Sequence, residues 1–276
     1  MERFSTHFAA RPGTYSAIWE DLCSTDIAEA KVDPATARLE DLLMAANFLK
    51  SYPKENEAER TFKISDRTYR DRVNVYLRKL QALKAIKIFW PLHWNPDCLG
   101  SAKETMFVIT VDGVHCKIQE PMHGRYSKNP KFYSHKFKQA GLAYEVAMSI
   151  FEDKCVWING PFPAGKNDMS IFRASLKEAL SSIMKLAIGD KGYRGESALV
   201  SLPNSHDCEE VREFKGRALA RHEKFNGRMK RFAVLSGTFR HGGLGQKTFE
   251  KHQICFDAVA VICQYEMENG SPLMVV

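Results

Sequence analysis

Phe107-Val-Ile-Thr-Val-Asp112-Gly113 is an apolar run that ends on an acidic residue and a glycine. The run reads as a buried strand, and His115 to Gln119 reads as its hairpin partner or its continuation. Asp112-Gly113 is a turn signal between the two. A second apolar run, Met184-Lys-Leu-Ala-Ile-Gly-Asp190, also ends on an aspartate and leads into Lys191-Gly192-Tyr193. Around these two runs the remaining elements arrange themselves. Leu142 to Phe151 and Lys154 to Gly160 read as two strands joined by the turn Glu152-Asp153. Asn167 or Asp168 caps a helix through Leu180. Ile183 to Gly189 and Ala198 to Leu202 read as two more strands. A long helix runs from about Cys208 to Leu235, and a last one from about Thr248 to Glu268.

Three strands, a helix, two strands and two helices form an α/β plan, close to a ribonuclease H-like core: a mixed sheet flanked by helices. In that plan the strand ending at Asp190 neighbours the strand ending at Asp112, and the long helix packs across both. The predicted core spans about 105–270. Upstream the pattern differs. Residues 1–30 show little periodicity and read as a loose N-terminal arm. Leu39, Leu42, Leu43, Ala46 and Leu49 recur at helical spacing up to Pro53, a second helix fits Lys54 to Thr61, and Ser65 caps a third. The third carries Arg67, Arg70, Arg72, Arg78 and Lys79. This small helical region, 31–95, is either helix-turn-helix-like or a helical cap with a solvated basic face.

Composition sets the frame. The chain has 276 residues, 44% hydrophobic and 26% charged, and a net charge of +7. The basic balance favours a polyanionic partner, above all nucleic acid; the plainer reading is a merely basic soluble protein. Seven cysteines form no C-x-x-C pair, which argues against a zinc cluster or disulfide framework and for a reducing, intracellular setting. No apolar signal core opens the sequence, and no apolar stretch is long enough to span a bilayer.

The long helix adds a third acidic residue. Phe214, Ala218, Phe225, Met229 and Phe232 fall on one apolar side and predict packing on the core. Arg217, Arg221, Lys224, Arg228 and Arg231 form a basic stripe beside it, suited to a phosphate backbone. Glu223 lies off both, with Gly216, Ala220, Gly227 and Lys230 around it. Two carboxylates at strand ends and one on a helix suit a site for two divalent ions acting on phosphodiesters. Magnesium or manganese prefers such oxygen ligands. Asp112 is then the shared ligand, flanked by Asp190 and Glu223. Singly, each residue has a simpler reading: a turn aspartate for Asp112 and Asp190, a solvated helix position for Glu223.

Five blocks carry a resemblance. They are Val111-Asp112-Gly113-Val-His115, Asn129-Pro-Lys-Phe-Tyr133-Ser-His-Lys136, and Gly160-Pro-Phe-Pro-Ala-Gly-Lys-Asn-Asp168-Met-Ser-Ile-Phe172. Gly189-Asp190-Lys-Gly192-Tyr193 and Arg221-His-Glu223-Lys-Phe-Asn-Gly-Arg-Met-Lys230-Arg-Phe232 follow. In this order, from about Phe107 to about Glu268, the chain resembles DDE-superfamily endonucleases of the PIF/Harbinger transposase type. The resemblance implies a ribonuclease H-like nuclease whose Asp-Asp-Glu triad maps to Asp112, Asp190 and Glu223 and holds two Mg2+ or Mn2+ ions. It implies cut-and-paste transposition: hydrolysis at element ends, then attack of the freed 3′-hydroxyl on target DNA.

The resemblance further implies a homo-oligomer on DNA, a Myb-like or other DNA-binding partner, no membrane association and a nuclear location. Asp168, His115 and Lys136 match as accessory positions. Asp168 is otherwise a helix cap, His115 a structural histidine and Lys136 a hairpin residue. Arg217, Arg221, Lys224, Arg228, Lys230 and Arg231 are candidate DNA contacts. Lys166-Asn167 departs from the family's usual Ser-His pair. Two alternatives stand beside this reading. One is a domesticated DNA- or protein-binding factor that keeps the fold without turnover; the other is a ribonuclease H-like nuclease acting on RNA or hybrid duplexes.

Overall fold

The computed structural model describes residues 2–91, 107–121, 127, 129–241 and 246–276. The chain divides into two compact units, one of residues 1–87 with 228–271 and the other of residues 88–227 with 272–276. The division cuts across the expected 105–270 core: its last forty or so residues belong with the N-terminal helices.

The first unit is helical. The segment expected to be a loose arm instead forms α1 (Glu2–Phe8) and α2 (Pro12–Ser24). Pro12 starts α2 at no cost, because the first helical N–H has no partner in any case. Tyr15, Ile18 and Leu22 lie on one face of α2 and are buried. Three apolar anchors in thirteen residues were too sparse to register as periodicity, yet they suffice once α11 (Gln246–Glu268) offers a face to pack on.

Three helices follow as expected: α3 (Leu39–Ser51), α4 (Glu55–Phe62) and α5 (Asp66–Ala82). The Ser65 hydroxyl accepts the Thr68 N–H at 3.2 Å, which caps α5. Of the basic residues on α5, Arg70 pairs with Asp66 and Glu55, Arg72 pairs with Asp41, and Lys79 donates to the Lys31 carbonyl. Arg67 and Arg78 are exposed. A short α6 (Lys84–Lys87) ends this stretch, and α10 (Ala233–Ser236) precedes α11.

The second unit is built on a mixed six-stranded sheet flanked by helices. Its strands are β1 (Phe107–Lys117), β2 (Tyr133–Ser134), β3 (Gln139–Ser149), β4 (Cys155–Pro163), β5 (Leu186–Ile188) and β6 (Val200–Ser201). β1 lies between β3, antiparallel to it, and β5, parallel to it; β6 extends the sheet beside β5, and both β4 and β2 pair with β3. β1 is one continuous strand. Asp112-Gly113 forms no turn, because β3 pairs along its whole length, from Ile109↔Ser149 to Lys117↔Gly141. Nine consecutive cross-strand partners outweigh a local turn preference.

The expected helix from 167 to Leu180 breaks at Ser175 into α7 (Asp168–Ala174) and α8 (Leu176–Ser182). Met169, Phe172, Leu176 and Leu180 pack with Val108, Val111 and Ala187 of the sheet. α9 (Glu209–Lys230) lies in this unit as far as Gly227, and its Phe214 and Ala218 join Phe107 and Ile188 in a second cluster. The apolar side predicted for this helix is buried throughout: Phe214, Ala218, Phe225, Met229 and Phe232 are all core residues. Among the described residues, no helix is long and apolar enough to cross a membrane.

Candidate functional site: a carboxylate cluster at the centre of the sheet

The parallel pairing of β1 with β5 brings two of the sequence-predicted aspartates together. The last paired position is Thr110↔Ile188, and Asp112 and Asp190 each lie two residues beyond it. Neighbouring strands run about 4.8 Å apart, so Asp112, still within β1 and paired with Val146 of β3, stands beside Asp190, just past the end of β5. Asp112 is half-buried and Asp190 is exposed.

Local backbone bonds hold both. The Asp112 carboxylate accepts the Gly113 N–H at 2.8 Å. That of Asp190 accepts the Gly192 N–H at 2.8 Å and so caps the short 3-10 turn Lys191–Tyr193.

Asp168 completes the group. The cap of α7 is Asn167, whose side-chain oxygen accepts the Ser170 N–H at 2.7 Å. With the cap taken, Asp168 turns inward. A Cβ at Gly113 would lie 2.5 Å from Asp168 Oδ1, and one at Gly192 would lie 2.7 Å from Asp168 Oδ2. Both glycines are thus needed for the carboxylate to approach β1 and the Asp190 turn. Burial, followed by the negative charges of Asp190 and Asp112, raises the Asp168 pKa to about 6. The Lys136 ammonium opposes that rise, which places this predicted accessory residue within electrostatic reach of the cluster.

Behind the cluster sits a fourth carboxyl that sequence reasoning missed. Glu145 faces Gly113 across the β1–β3 pairing and is 1% exposed. Burial raises its pKa to about 8, against a 3.1 Å hydrogen bond from the Trp157 indole N–H. The signal was present: a lone acid inside the apolar run Leu142-Ala-Tyr-Glu145-Val-Ala-Met. Tyr193, equally buried, has its pKa raised by burial and then by Glu145, Asp168, Asp112 and Asp190.

Helix α9 meets β1 on the side of Asp112. Asn226 Nδ2 donates to Asp112 Oδ2 at 2.8 Å, and His222 Nδ1 lies 2.8 Å from the Thr110 hydroxyl. Burial lowers the His222 pKa to about 3, so its ring is neutral. Neither contact was read from the sequence. Glu223 does not join them. It is exposed, on a strip with Gly216, Ala220 and Gly227, as its face analysis predicted. Among the described residues, no group of three or more His, Cys, Asp or Glu side chains could hold a metal ion. The structure therefore brings together Asp112, Asp190 and Asp168, and leaves Glu223 on the outer face one turn from Asn226.

The expected basic stripe is divided by the fold. Arg217 and Lys224 are exposed on α9. Arg221 is 4% exposed and is not a surface cation. Its guanidinium donates to the carbonyls of Ser149, Ile150 and Glu152 and to Asp153 Oδ1, at 2.6 to 3.0 Å, and so fastens the β3–β4 turn. Arg228, Lys230 and Arg231 belong to the other unit. There Arg228 donates to the Ser271 carbonyl at 2.5 Å, Arg231 pairs with Glu266, and Lys230 is exposed. His115 is half-buried on β1 opposite Ala143, three residues beyond Asp112.

Comparison with known proteins returned no match: no family model, curated protein or solved structure matches this chain at a significant level.

Proposed function

We propose that this protein is a metal-dependent DNA endonuclease of the DDE superfamily, PIF/Harbinger type, with a ribonuclease H-like core. The observation that carries the reading is the pairing of Asp112 and Asp190 beyond one parallel register, Thr110↔Ile188, with Asp168 charged against both. The strand order β4-β3-β1-β5-β6, with β3 alone antiparallel to β1 and β5 and β6 parallel to it, supports the ribonuclease H-like plan.

The donor set fits a hard divalent ion. It consists of carboxylate oxygens only; burial first, and then the repulsion from Asp190 and Asp112, raises the Asp168 pKa, and a bound cation would relieve that repulsion. Asp112 and Asp190 would hold Mg2+ or Mn2+ beside Asp168; Glu223, exposed on the outer face of α9, would have to turn towards them to join the set. Two such ions, when bound, supply an activated oxygen nucleophile and stabilise the leaving oxygen at a phosphodiester.

The chain's own residues do the rest. Asn226 fixes the Asp112 rotamer and ties α9 to β1, and Glu223 stands three residues away on the same helix. Gly113 and Gly192 leave room for Asp168. Arg217 and Lys224, exposed beside Glu223, neutralise a phosphate backbone. The reaction proposed is hydrolysis of a P–O3′ bond, leaving a 3′-hydroxyl and a 5′-phosphate, followed by attack of that hydroxyl on target DNA. The resemblance to transposases of this type further implies a nuclear location, a homo-oligomer that pairs two ends, and a Myb-like or similar partner that finds them.

The test is nicking of supercoiled plasmid with Mg2+ or Mn2+, beside Asp112→Ala and Asp190→Asn. Loss of cleavage in both variants with an unchanged fold is expected; retained cleavage sinks the reading. Parallel RNA and hybrid duplexes separate a DNA nuclease from an RNA-directed one. A second reading, a binding factor without turnover, is favoured by the exposed, outlying Glu223 and by the lack, among the described residues, of three His, Cys, Asp or Glu side chains placed to hold a metal ion. It predicts no calorimetric binding of Mg2+ or Mn2+.

A further inference from the structure

The helical unit contains a cavity of about 190 Å³ that the nuclease reading does not use. Its walls come from α5, α11, the end of α3 and the segment around Phe239 and His241. An apolar cavity of roughly 150 Å³ is enough to hold a benzene ring, so this one accommodates a somewhat larger aromatic body. Phe48, Val73, Leu77 and Phe239 give it apolar surfaces.

Two of the polar lining groups, His241 and Cys255, are neutral. Burial lowers the His241 pKa to about 4, and the ring is held by the Tyr52 hydroxyl at 2.7 Å. Burial pushes the Cys255 thiol up to about 12.

Two features give the cavity a chemical preference. Tyr69 lines the wall and is 3% exposed, and its hydroxyl has no hydrogen-bond partner among the described residues. A buried, unmatched hydroxyl costs free energy, and a ligand atom that donates to it or accepts from it recovers that cost. At the mouth, Arg78 and Lys251 are exposed and form no ion pair among the described residues, whereas Arg70 is already committed to Asp66 at 3.1 Å and to Glu55 at 3.6 Å. Apolar walls, one buried unmatched hydroxyl and two uncommitted cations at the rim match a ring that carries a negative charge on one edge.

We propose that this cavity is a binding site for a small aromatic carboxylate, with the ring against Val73 and Leu77, a polar ring atom at Tyr69 and the carboxylate between Arg78 and Lys251. The inference is independent of the nuclease reading, since it draws on no residue of the carboxylate cluster.

Isothermal titration calorimetry of the full chain with indole-3-carboxylate tests it, with uncharged indole as the second probe. Saturable binding of one indole-3-carboxylate per chain is expected. The double variant R78E/K251E alters only exposed side chains and should keep the melting temperature. It should weaken indole-3-carboxylate by about tenfold or more while leaving indole unchanged. Tyr69→Phe removes the hydroxyl but keeps the ring, and should weaken binding about threefold to tenfold. No saturable binding to the native chain overturns the proposal, as does unchanged affinity for indole-3-carboxylate in R78E/K251E.

Discussion

Asn226 Nδ2 donates to Asp112 Oδ2 at 2.8 Å, linking the C-terminal part of α9 to the middle of β1. Asn226 is 6% exposed, so the donor is largely shielded from water. Removing the amide takes one donor from the Asp112 carboxylate. Asn226→Ala is expected to cost about 1–3 kcal/mol in urea unfolding. It should also reduce metal-dependent nicking, because Asp112 loses its fixed orientation. Full nicking by a folded Asn226→Ala protein would show that Asp112 needs no such restraint.

Gly113 and Gly192 make space for one carboxylate. A methyl at Gly113 would meet Asp168 Oδ1 at 2.5 Å, and the group that must yield is the end of a side chain. Gly113→Ala should therefore fold, with a small loss in melting temperature, and displace Asp168. A displacement of the order of 1 Å at a reacting centre costs about a hundredfold in rate. The measurement is nicking rate against thermal melting. A large drop in melting temperature with a normal rate per folded molecule would contradict this account.

Glu145 predicts a pH dependence of stability. Its folded pKa is raised to about 8 from an ordinary value of 4.5, chiefly by burial. The folded protein then binds a proton that the unfolded chain releases above 4.5. Its contribution is fully present below that value and is lost as pH rises towards 8, at about 1.4 kcal/mol per pH unit. Urea unfolding of the metal-free protein across this window should show the slope, and Glu145→Gln should flatten it. An identical slope in Glu145→Gln would assign the effect elsewhere.

Arg221 and Arg217 sit four residues apart on one helix and should behave differently. Arg221 is inside, bonded to three carbonyls and to the partly solvated Asp153. Arg221→Ala should destabilise by about 3 kcal/mol, the low end for a broken buried pair. Arg217→Ala should leave stability unchanged and lower the salt dependence of DNA binding by about one counterion. A salt dependence in Arg217→Ala identical to that of the native protein would remove that residue from the DNA surface.

Much of the sheet unit was legible because its strands are dense apolar runs with turn residues between them. Glu152-Asp153 does turn between β3 and β4, and the strand that leads to Asp190 does pair beside β1. The apolar face of α9 was equally plain, since a 3.6-residue period depends only on the sequence itself. What failed was local evidence that distant partners override. Asp112-Gly113 favours a turn until β3 pairs across it, and α2 has too few anchors to look like a helix until α11 covers them.

The sequence alone determined which apolar segments carry the acidic residues, although it put Asp112 at a strand end where β1 runs on to Lys117, and that Glu223 stands apart from the buried side of its helix. Only the tertiary structure decided which of those acids meet. Asp168 joins Asp112 and Asp190 because Asn167 takes the helix cap and two glycines open the space. Arg221 left the basic stripe because the carbonyls of Ser149, Ile150 and Glu152 at the β3–β4 turn accept its guanidinium. The physical reason is common to both: a side chain's role is set by the neighbour that satisfies its charge and hydrogen bonds, and those neighbours lie far away along the chain.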